Sequence, residues 1–356
     1  MTLRVLLVIR PATGGIRQHV ITLSRQLKRK DVAVSFAAPQ DLLNTLPKDL
    51  TELPKYPVDI SSAFSPVKDL AAARTLTAVI GRGFDLIHSQ GLRAGMVTSM
   101  SLATKHVPHI VTFHNLLSDG FATRSALTLI ASCSQGFIAV SPNIASGLST
   151  MASRVPRMVI PNGIPIADFE ARSPVLDQLF ELDKNRSVVG CVARLSPEKG
   201  VDFLLSAAKM LPEVQFIIAG EGPDAESLMN LAPSNVEFLG RVDKTRDVYH
   251  AADVLVIPSR SEGQGIVALE AMAASCPVIA SDVGGLSTML THEQTALLVP
   301  VGDVSLLASS IQRLVRGRDM RARLIHNGRE LVLRKYSDDR MATSTIDFYG
   351  TVLHPG

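Results

Sequence analysis

Short apolar runs alternate along this chain with segments whose apolar positions recur every three or four residues. In the first half the runs fall at 3–9, 32–38, 85–88, 109–113, 136–140 and 158–160. Between them, helical periodicity covers 16–28, 67–80, 92–104 and 121–134, and a further helix is capped by Ser141. Strands that are apolar at successive positions belong in a sheet covered on both faces, and regular strand–helix alternation predicts parallel pairing. Residues 41–66 interrupt the pattern, because Pro47, Pro54, Pro57 and Pro66 break any long element there.

The loop Pro161-Asn-Gly-Ile-Pro165 ends the first series, and the pattern restarts beyond it. Strands are predicted at 187–193, 215–220, 236–239, 254–257 and 277–280, with helices at 201–211, 224–231, 244–250, 265–274, 303–316 and 319–334. The expected fold class is α/β, with two doubly wound, Rossmann-like domains, 1–165 and 166–356, facing each other across a cleft. The amphipathic segment 337–353 is a candidate to cross back onto the first domain. In such sheets ligands bind outside the carboxyl ends of the strands.

Composition narrows the class. The chain has 356 residues, 46% apolar and 19% charged, which suits two well-buried globular domains. The run Val5 to Ile9 is too short for a signal peptide, and no segment reaches the roughly 18 apolar residues of a membrane span. A cytoplasmic protein is expected, with Cys133, Cys191 and Cys276 as buried free thiols. No Cys/His cluster has zinc spacing and no Asp-x-Asp triplet occurs, so no metal site and no cofactor are expected. Charge is unevenly divided. Residues 1–165 hold 17 Lys and Arg against 8 Asp and Glu, whereas 166–356 hold 19 against 25. A basic half points to an anionic partner, such as a membrane surface rather than nucleic acid. Arg25, Lys28, Arg29 and Lys30 cluster near the end of the first helix, where they also complement a helix C-terminus; Lys105, His106 and His109 group near a later turn.

The stretch Ser259-Arg-Ser-Glu-Gly-Gln-Gly-Ile-Val-Ala-Leu-Glu270 carries the strongest chemistry. It follows the strand at 254–257 and reads as a glycine loop opening a helix. Its free backbone amides and dipole suit a diphosphate, and glycines let the backbone approach closely. Glu262 and Glu270 then bracket such a ligand, or else Glu262 caps the helix and Glu270 is solvated. In Gly190-Cys-Val-Ala-Arg194-Leu-Ser-Pro-Glu-Lys199-Gly200 a buried strand ends at one cation and a second precedes a glycine. Arg grips phosphate as a fork and Lys as a point charge; an ion pair with Glu198 is the plainer alternative. Gly14 and Gly15 sit between the first strand and first helix, as a tight turn or a phosphate contact. His114 ends a strand where it can bond a hydroxyl or meet developing charge, and His88 and His19 are weaker candidates. Ala219-Gly-Glu-Gly-Pro223, with Gly222, and Gly240-Arg241-Val242 are ordinary turns or the lining of a base or ribose pocket.

Taken in order, Gly14-Gly15, Thr112-Phe-His114, Ile160-Pro-Asn-Gly163, Ala193 through Gly200, Gly220 through Pro223, Glu262 through Glu270 and Ala280-Ser-Asp-Val-Gly-Gly285 cover nearly the whole chain. Together they resemble the retaining glycosyltransferases of the GT-B fold, in the large group 1 branch that includes capsule, lipopolysaccharide and phosphatidylinositol enzymes. The resemblance implies that Arg194 and Lys199 hold the donor diphosphate, Glu270 the ribose and Glu262 the donor sugar hydroxyls. The amides of Gly263, Gln264, Gly265 and Ile266 would lie near sugar and phosphate, Gly15 would touch the diphosphate, and His114 would lie at the reacting sugar. One departure is Gln264, where many members have Phe.

The implied enzyme is a retaining, metal-independent glycosyltransferase of the hexosyltransferase class. It would move a hexose or N-acetylhexosamine from a UDP-linked donor to a lipid-linked or glycan acceptor in cell-envelope or polysaccharide synthesis, peripherally at the inner membrane face. A sugar-nucleotide epimerase and a non-catalytic nucleotide-sugar-binding scaffold are the rival readings.

Overall fold

The computed structural model describes residues 2–11, 14–118, 120–170, 183 and 185–354. Its first series is β1 (Arg4–Ile9), α1 (Gly14–Arg29), β2 (Ala33–Ala38), α2 (Gln40–Asn44), β3 (Lys55–Pro57), α3 (Pro66–Ile80), β4 (Leu86–Gln90), α4 (Gly91–Ser99), β5 (His109–Phe113), α5 (Phe121–Cys133), β6 (Gly136–Ala139), α6 (Pro142–Met151) and β7 (Arg157–Val159). The second is α7 (Ala167–Glu170), β8 (Val188–Val192), α8 (Val201–Lys209), β9 (Gln215–Ala219), α9 (Ala225–Leu231), β10 (Val236–Gly240), α10 (Thr245–Ala251), β11 (Val254–Ile257), α11 (Ile266–Ala273), β12 (Val278–Ser281), α12 (Gly284–Met289), β13 (Leu297–Val299), α13 (Val304–Arg316) and α14 (Arg318–Lys335). A final helix, α15 (Asp338–Leu353), closes the chain. The elements form two compact units, Met1–Gly163 with Asp338–Gly356, and Ile164–Ser337.

In the first unit a seven-stranded parallel sheet runs β3-β2-β1-β4-β5-β6-β7. The strand period of two, with a core on each face, explains why β1 is apolar from Val5 to Ile9, beyond the exposed Arg4. Leu6 and Val8 enter the core on one face, while Val5, Leu7 and Ile9 enter the core on the other. α15 supplies Met341, Ala342, Phe348, Tyr349 and Val352 to that second core. It packs along α1, where Gln26 donates to Asp338 at 2.5 Å and Lys30 pairs with Asp339 at 2.7 Å. Gly136 makes room for it, since a Cβ there would stand 2.8 Å from the Phe348 ring.

The second unit repeats the plan with a six-stranded parallel sheet, β10-β9-β8-β11-β12-β13. Val254 and Val256 of β11 join one core, and Leu255 and Ile257 the other. Strand order reverses between β1 and β4 in the first sheet and between β8 and β11 in the second. Those reversals open a crevice at the strands' carboxyl ends, where doubly wound sheets bind ligands.

Several local expectations change. The proline-rich stretch forms α2 and β3, and β3 is an edge strand, where Pro57 forfeits no interior ladder bond. α12 and β13 are short elements that periodicity does not reveal. His109 begins a strand, as the 109–113 run predicts, but it does not add charge to the basic group near the turn before it. It is the fully buried first residue of β5, bonded by Ser89 Oγ at 2.8 Å and Ser134 Oγ at 3.0 Å, and burial lowers its pKa to about 3. The cluster at the end of α1 is partly neutralised, because Arg25 pairs with Asp49 at 2.6 Å and Lys30 with Asp339. Cys191 and Cys276 are buried as expected, but Cys133 is only half-buried.

Candidate functional site

The sequence candidates of the second unit gather at its switch point. Arg194 lies two residues beyond β8 and is exposed; its carbonyl accepts from Ser196 N–H at 3.0 Å, and its guanidinium makes no hydrogen bond or ion pair among the described residues. A one-turn helix, Pro197–Lys199, then ends at Gly200, whose φ of 63° puts it in the left-handed region. A Cβ at Gly200 would stand 2.1 Å from the Pro258 carbonyl oxygen, so glycine lets the loop after β8 lie on the end of β11. This brings Lys199 to Glu262: Nζ is 2.5 Å from Oε1. Ser259 Oγ donates to the same oxygen at 3.0 Å, leaving Oε2 for another donor. The predicted alternative, an ion pair of Lys199 with Glu198, is not the one formed.

Loops around this pair are held backbone to backbone. Leu195 N–H donates to the Glu221 carbonyl at 2.9 Å, and Asp224 N–H to the Leu195 carbonyl at 3.0 Å. A Cβ at Gly222 would meet the Leu195 carbonyl at 2.1 Å, which accounts for that glycine by packing alone. On the other side Gly285 N–H donates to the Glu262 carbonyl at 3.0 Å. Gly263 leads through buried Gln264 to Gly265, which opens α11 ahead of Ile266. Arg241 follows the edge strand β10, two strands from β8. It is exposed and has no bond to the Arg194–Lys199–Glu262 group.

Glu270, on the second turn of α11, is not solvated. It is 8% exposed and accepts from Tyr249 Oη at 2.6 Å and Thr245 Oγ1 at 3.5 Å. Burial raises its pKa to about 7, against the two hydrogen bonds, which favour the carboxylate. The same burial, with the Glu270 charge behind it, pushes the Tyr249 hydroxyl up. Tyr249, Thr245 and Ser259 were not read from the sequence. Their partners lie 21, 25 and 3 residues away, and only the last was within one motif.

In the first unit Gly14, at φ 60°, and Gly15 open α1 and are exposed. His114 sits just past β5, 7% exposed, at the wall of a cavity of about 270 Å³. Its Nε2 is 2.9 Å from Gln90 Oε1, and Gln90 Nε2 is 3.2 Å from His88 Nε2. His88 Nδ1 in turn lies 2.7 Å from Tyr349 Oη on α15. An amide nitrogen only donates, so His88 Nε2 is an acceptor, from Gln90 and from the Thr112 hydroxyl at 2.6 Å, and its proton is on Nδ1. An amide oxygen only accepts, so His114 carries its proton on Nε2. The relay leaves His114 Nδ1 as a lone pair. Burial, then the fields of His19, His88 and Arg10, hold His114 well below the ordinary histidine pKa, so it is neutral at pH 7. His19 stacks edge-on against it at 4.7 Å, and burial lowers its pKa to about 4. His88 and His19 are thus neighbours and supports of His114. Gln90 and Tyr349 were not singled out in the sequence.

Two family models match the chain: glycosyl transferases group 1 over residues 176–331, and glycosyltransferase family 4 over residues 13–168. A phosphatidyl-myo-inositol mannosyltransferase of Mycobacterium leprae is 30% identical over 96% of this chain and 94% of its own. An alpha-maltose-1-phosphate synthase of Mycolicibacterium smegmatis is 30% identical over 75% of this chain and 79% of its own. Among solved structures, Anabaena Alr3699/HepE in complex with UDP and glucose superposes with a TM-score of 0.87 at 21% identity, covering 98% of this chain and all of that one.

Proposed function

The chain belongs to the glycosyl transferases group 1 family on the GT-B fold, and from that premise we propose a retaining, metal-independent enzyme that takes its sugar from a UDP-linked donor. That it is a glycosyltransferase acting on nucleotide sugars follows from the family. The observation that carries the finer reading is the Lys199–Glu262 pair at the β8/β11 switch point. A nucleoside diphosphate leaves readily only where its growing negative charge is met. Arg194, Lys199 and the amides opening α11 supply fixed positive charge for this, and the reading needs no metal. Glu262, once Lys199 turns to phosphate, is free to bond the donor sugar's hydroxyls, and Glu270 the ribose. His114 with its Nδ1 lone pair accepts from a hydroxyl at the reacting centre. Retention follows if the acceptor oxygen attacks the anomeric carbon from the face the diphosphate leaves, its proton passing to the departing phosphate oxygen.

The sugar is a hexose or N-acetylhexosamine and the acceptor lipid-linked or glycan. The mycobacterial relative is named for transfer to phosphatidyl-myo-inositol. The first unit, with 18 basic against 11 acidic residues, supports docking at an anionic membrane surface. No helix among the described residues is long and apolar enough to cross a membrane.

The test is release of nucleoside diphosphate from a panel of UDP-, GDP-, ADP- and dTDP-sugars, with UDP-glucose first. Glu262→Ala should lower turnover at least about a hundredfold, the scale of removing one transition-state donor or its positioning partner, while nucleotide still binds. Undiminished turnover in that variant would sink the assignment. Donor conversion without release of diphosphate would favour an epimerase.

A further inference from the structure

The donor's cations, Arg194 and Lys199, lie in the second unit, and the cavity of the first unit has a cation of its own. Arg10, the residue after β1, is half-buried and lines the cavity on which His114 opens. Its guanidinium donates to the adjacent Pro11 carbonyl at 3.1 Å, and among the described residues no carboxylate pairs with it. Arg93, on the first turn of α4, lines the same cavity but is fully engaged. Asp69, itself buried, accepts from it at 2.6 and 3.1 Å, and the carbonyls of Ser61 and Ala63 accept at 3.2 and 3.0 Å. Asp69 therefore cancels one of two positive charges. The rest of the wall includes Ile16, Leu92 and Phe113, which screen the remaining charge poorly. Burial and the field of Arg93 both lower the pKa of Arg10, so its charge stands where a counter-ion would relieve it. Gly91, which opens α4, is also in this wall, and the first-turn amides of a helix lack intrahelical partners.

We infer that this cavity receives an anionic group of the acceptor, a phosphate or carboxylate, gripped by the Arg10 fork so that the acceptor's hydroxyl faces His114. This rests on the transferase reading, in which the donor's diphosphate has its own cations, Arg194 and Lys199, in the second unit. A cavity of about 270 Å³ has room for the anion and a small polyol or ring that bears it. A guanidinium binds phosphate and carboxylate oxygens two at a time, so Lys in its place keeps the charge and loses the fork.

The experiment is calorimetric titration of the full-length chain with glycerol phosphate in saturating UDP, at low salt. Arg10→Gln should weaken binding about ten- to a hundredfold, the range for a hydrogen bond to a charged group. Arg10→Lys should fall between, and Arg74→Gln, an exposed cation on α3 of the same unit, should change nothing. Arg10→Lys is also the reading if Arg10→Gln fails to fold. Equal affinity in wild type and Arg10 variants, or an equal loss in Arg74→Gln, would overturn the inference. A parallel arm measures binding to phosphatidylglycerol in phosphatidylcholine vesicles. Dependence on Arg10 there assigns the anion to a lipid headgroup; dependence with glycerol phosphate alone assigns it to a soluble acceptor. Nucleoside diphosphate release by the wild type is measured on the same samples, so a failed donor assay with intact Arg10-dependent binding would separate the two readings.

Discussion

At the residue scale the buried acid of α11 makes the sharpest forecast. Glu270 in the folded chain titrates at about 7, above the ordinary carboxylate value of 4.5, because burial penalises its charged form. A raised folded pKa means that the native state binds the proton more tightly than the unfolded chain. Stability is therefore full below pH 4.5 and falls as pH rises to about 7, beyond which the loss is constant. Glu270→Gln mimics the protonated acid. It should match wild type near pH 4 and exceed it at pH 8 by up to about 3 kcal/mol, from 1.36 kcal/mol per pKa unit. Urea unfolding at the two pH values reads this directly, and a variant no more stable at pH 8 would refute the ionisation argument. Glu262 and Glu270 were legible in sequence because both lie in one contiguous stretch with glycines between them. The environment that decides how Glu270 titrates was not, since Tyr249 comes from a different helix, α10. Likewise Lys199 beside Glu198 invites a local ion pair, yet the tertiary fold brings it to Glu262, 63 residues on.

At the scale of elements, α15 reaches the reacting end of the first sheet through a single hydroxyl. Tyr349 Oη accepts from His88 Nδ1, His88 Nε2 accepts from Gln90 Nε2, and Gln90 Oε1 accepts from His114 Nε2. Tyr349→Phe keeps the ring in the core but leaves His88 Nδ1–H buried without a partner. That should cost about 1–3 kcal/mol of stability. It also removes the acceptor of the His88 Nδ1 proton, which favours the proton moving to Nε2, where the Thr112 hydroxyl at 2.6 Å can accept it. Nitrogen-15 spectra of the ring nitrogens should show His88 protonated on Nδ1 and His114 on Nε2 in wild type, and mixed tautomers in the variant. Unchanged tautomers in the variant would mean that Gln90 and Thr112 suffice. The long elements of both units were readable from periodicity, since each buries an apolar stripe long enough to repeat. α2, β3, α12 and β13 have three to six residues each, too few for a period, and are held by their neighbours in the sheet rather than by pattern.

For the whole molecule the decisive fact is that the chain leaves its first unit at Gly163 and re-enters it at Asp338. The second unit is continuous in sequence, with both of its main cores built from residues between Ile164 and Val332. The first is not: Met341, Phe348, Tyr349 and Val352 of α15 are 9% exposed or less, in the core that covers one face of its sheet. Burying four such side chains is worth roughly 6–12 kcal/mol at about 1.5–3 kcal/mol each. That matches the whole net stability of a typical domain, about 5–15 kcal/mol. A chain ended at Ser337 should therefore lose the fold of its first unit and keep that of its second. Hydrogen exchange should find the amides of β1, β4 and β5 unprotected in the shortened chain, with β8, β9 and β11 as slow as in the full one. Removal of α15 also takes away Tyr349 and bares the apolar face of α1, so restoring a separate peptide of residues 338–356 should recover protection in β1 if the helix acts by packing. Protection of β1 that survives the truncation unaided would show that the first sheet holds its second face without α15, and that the crossing of the chain contributes little to its stability.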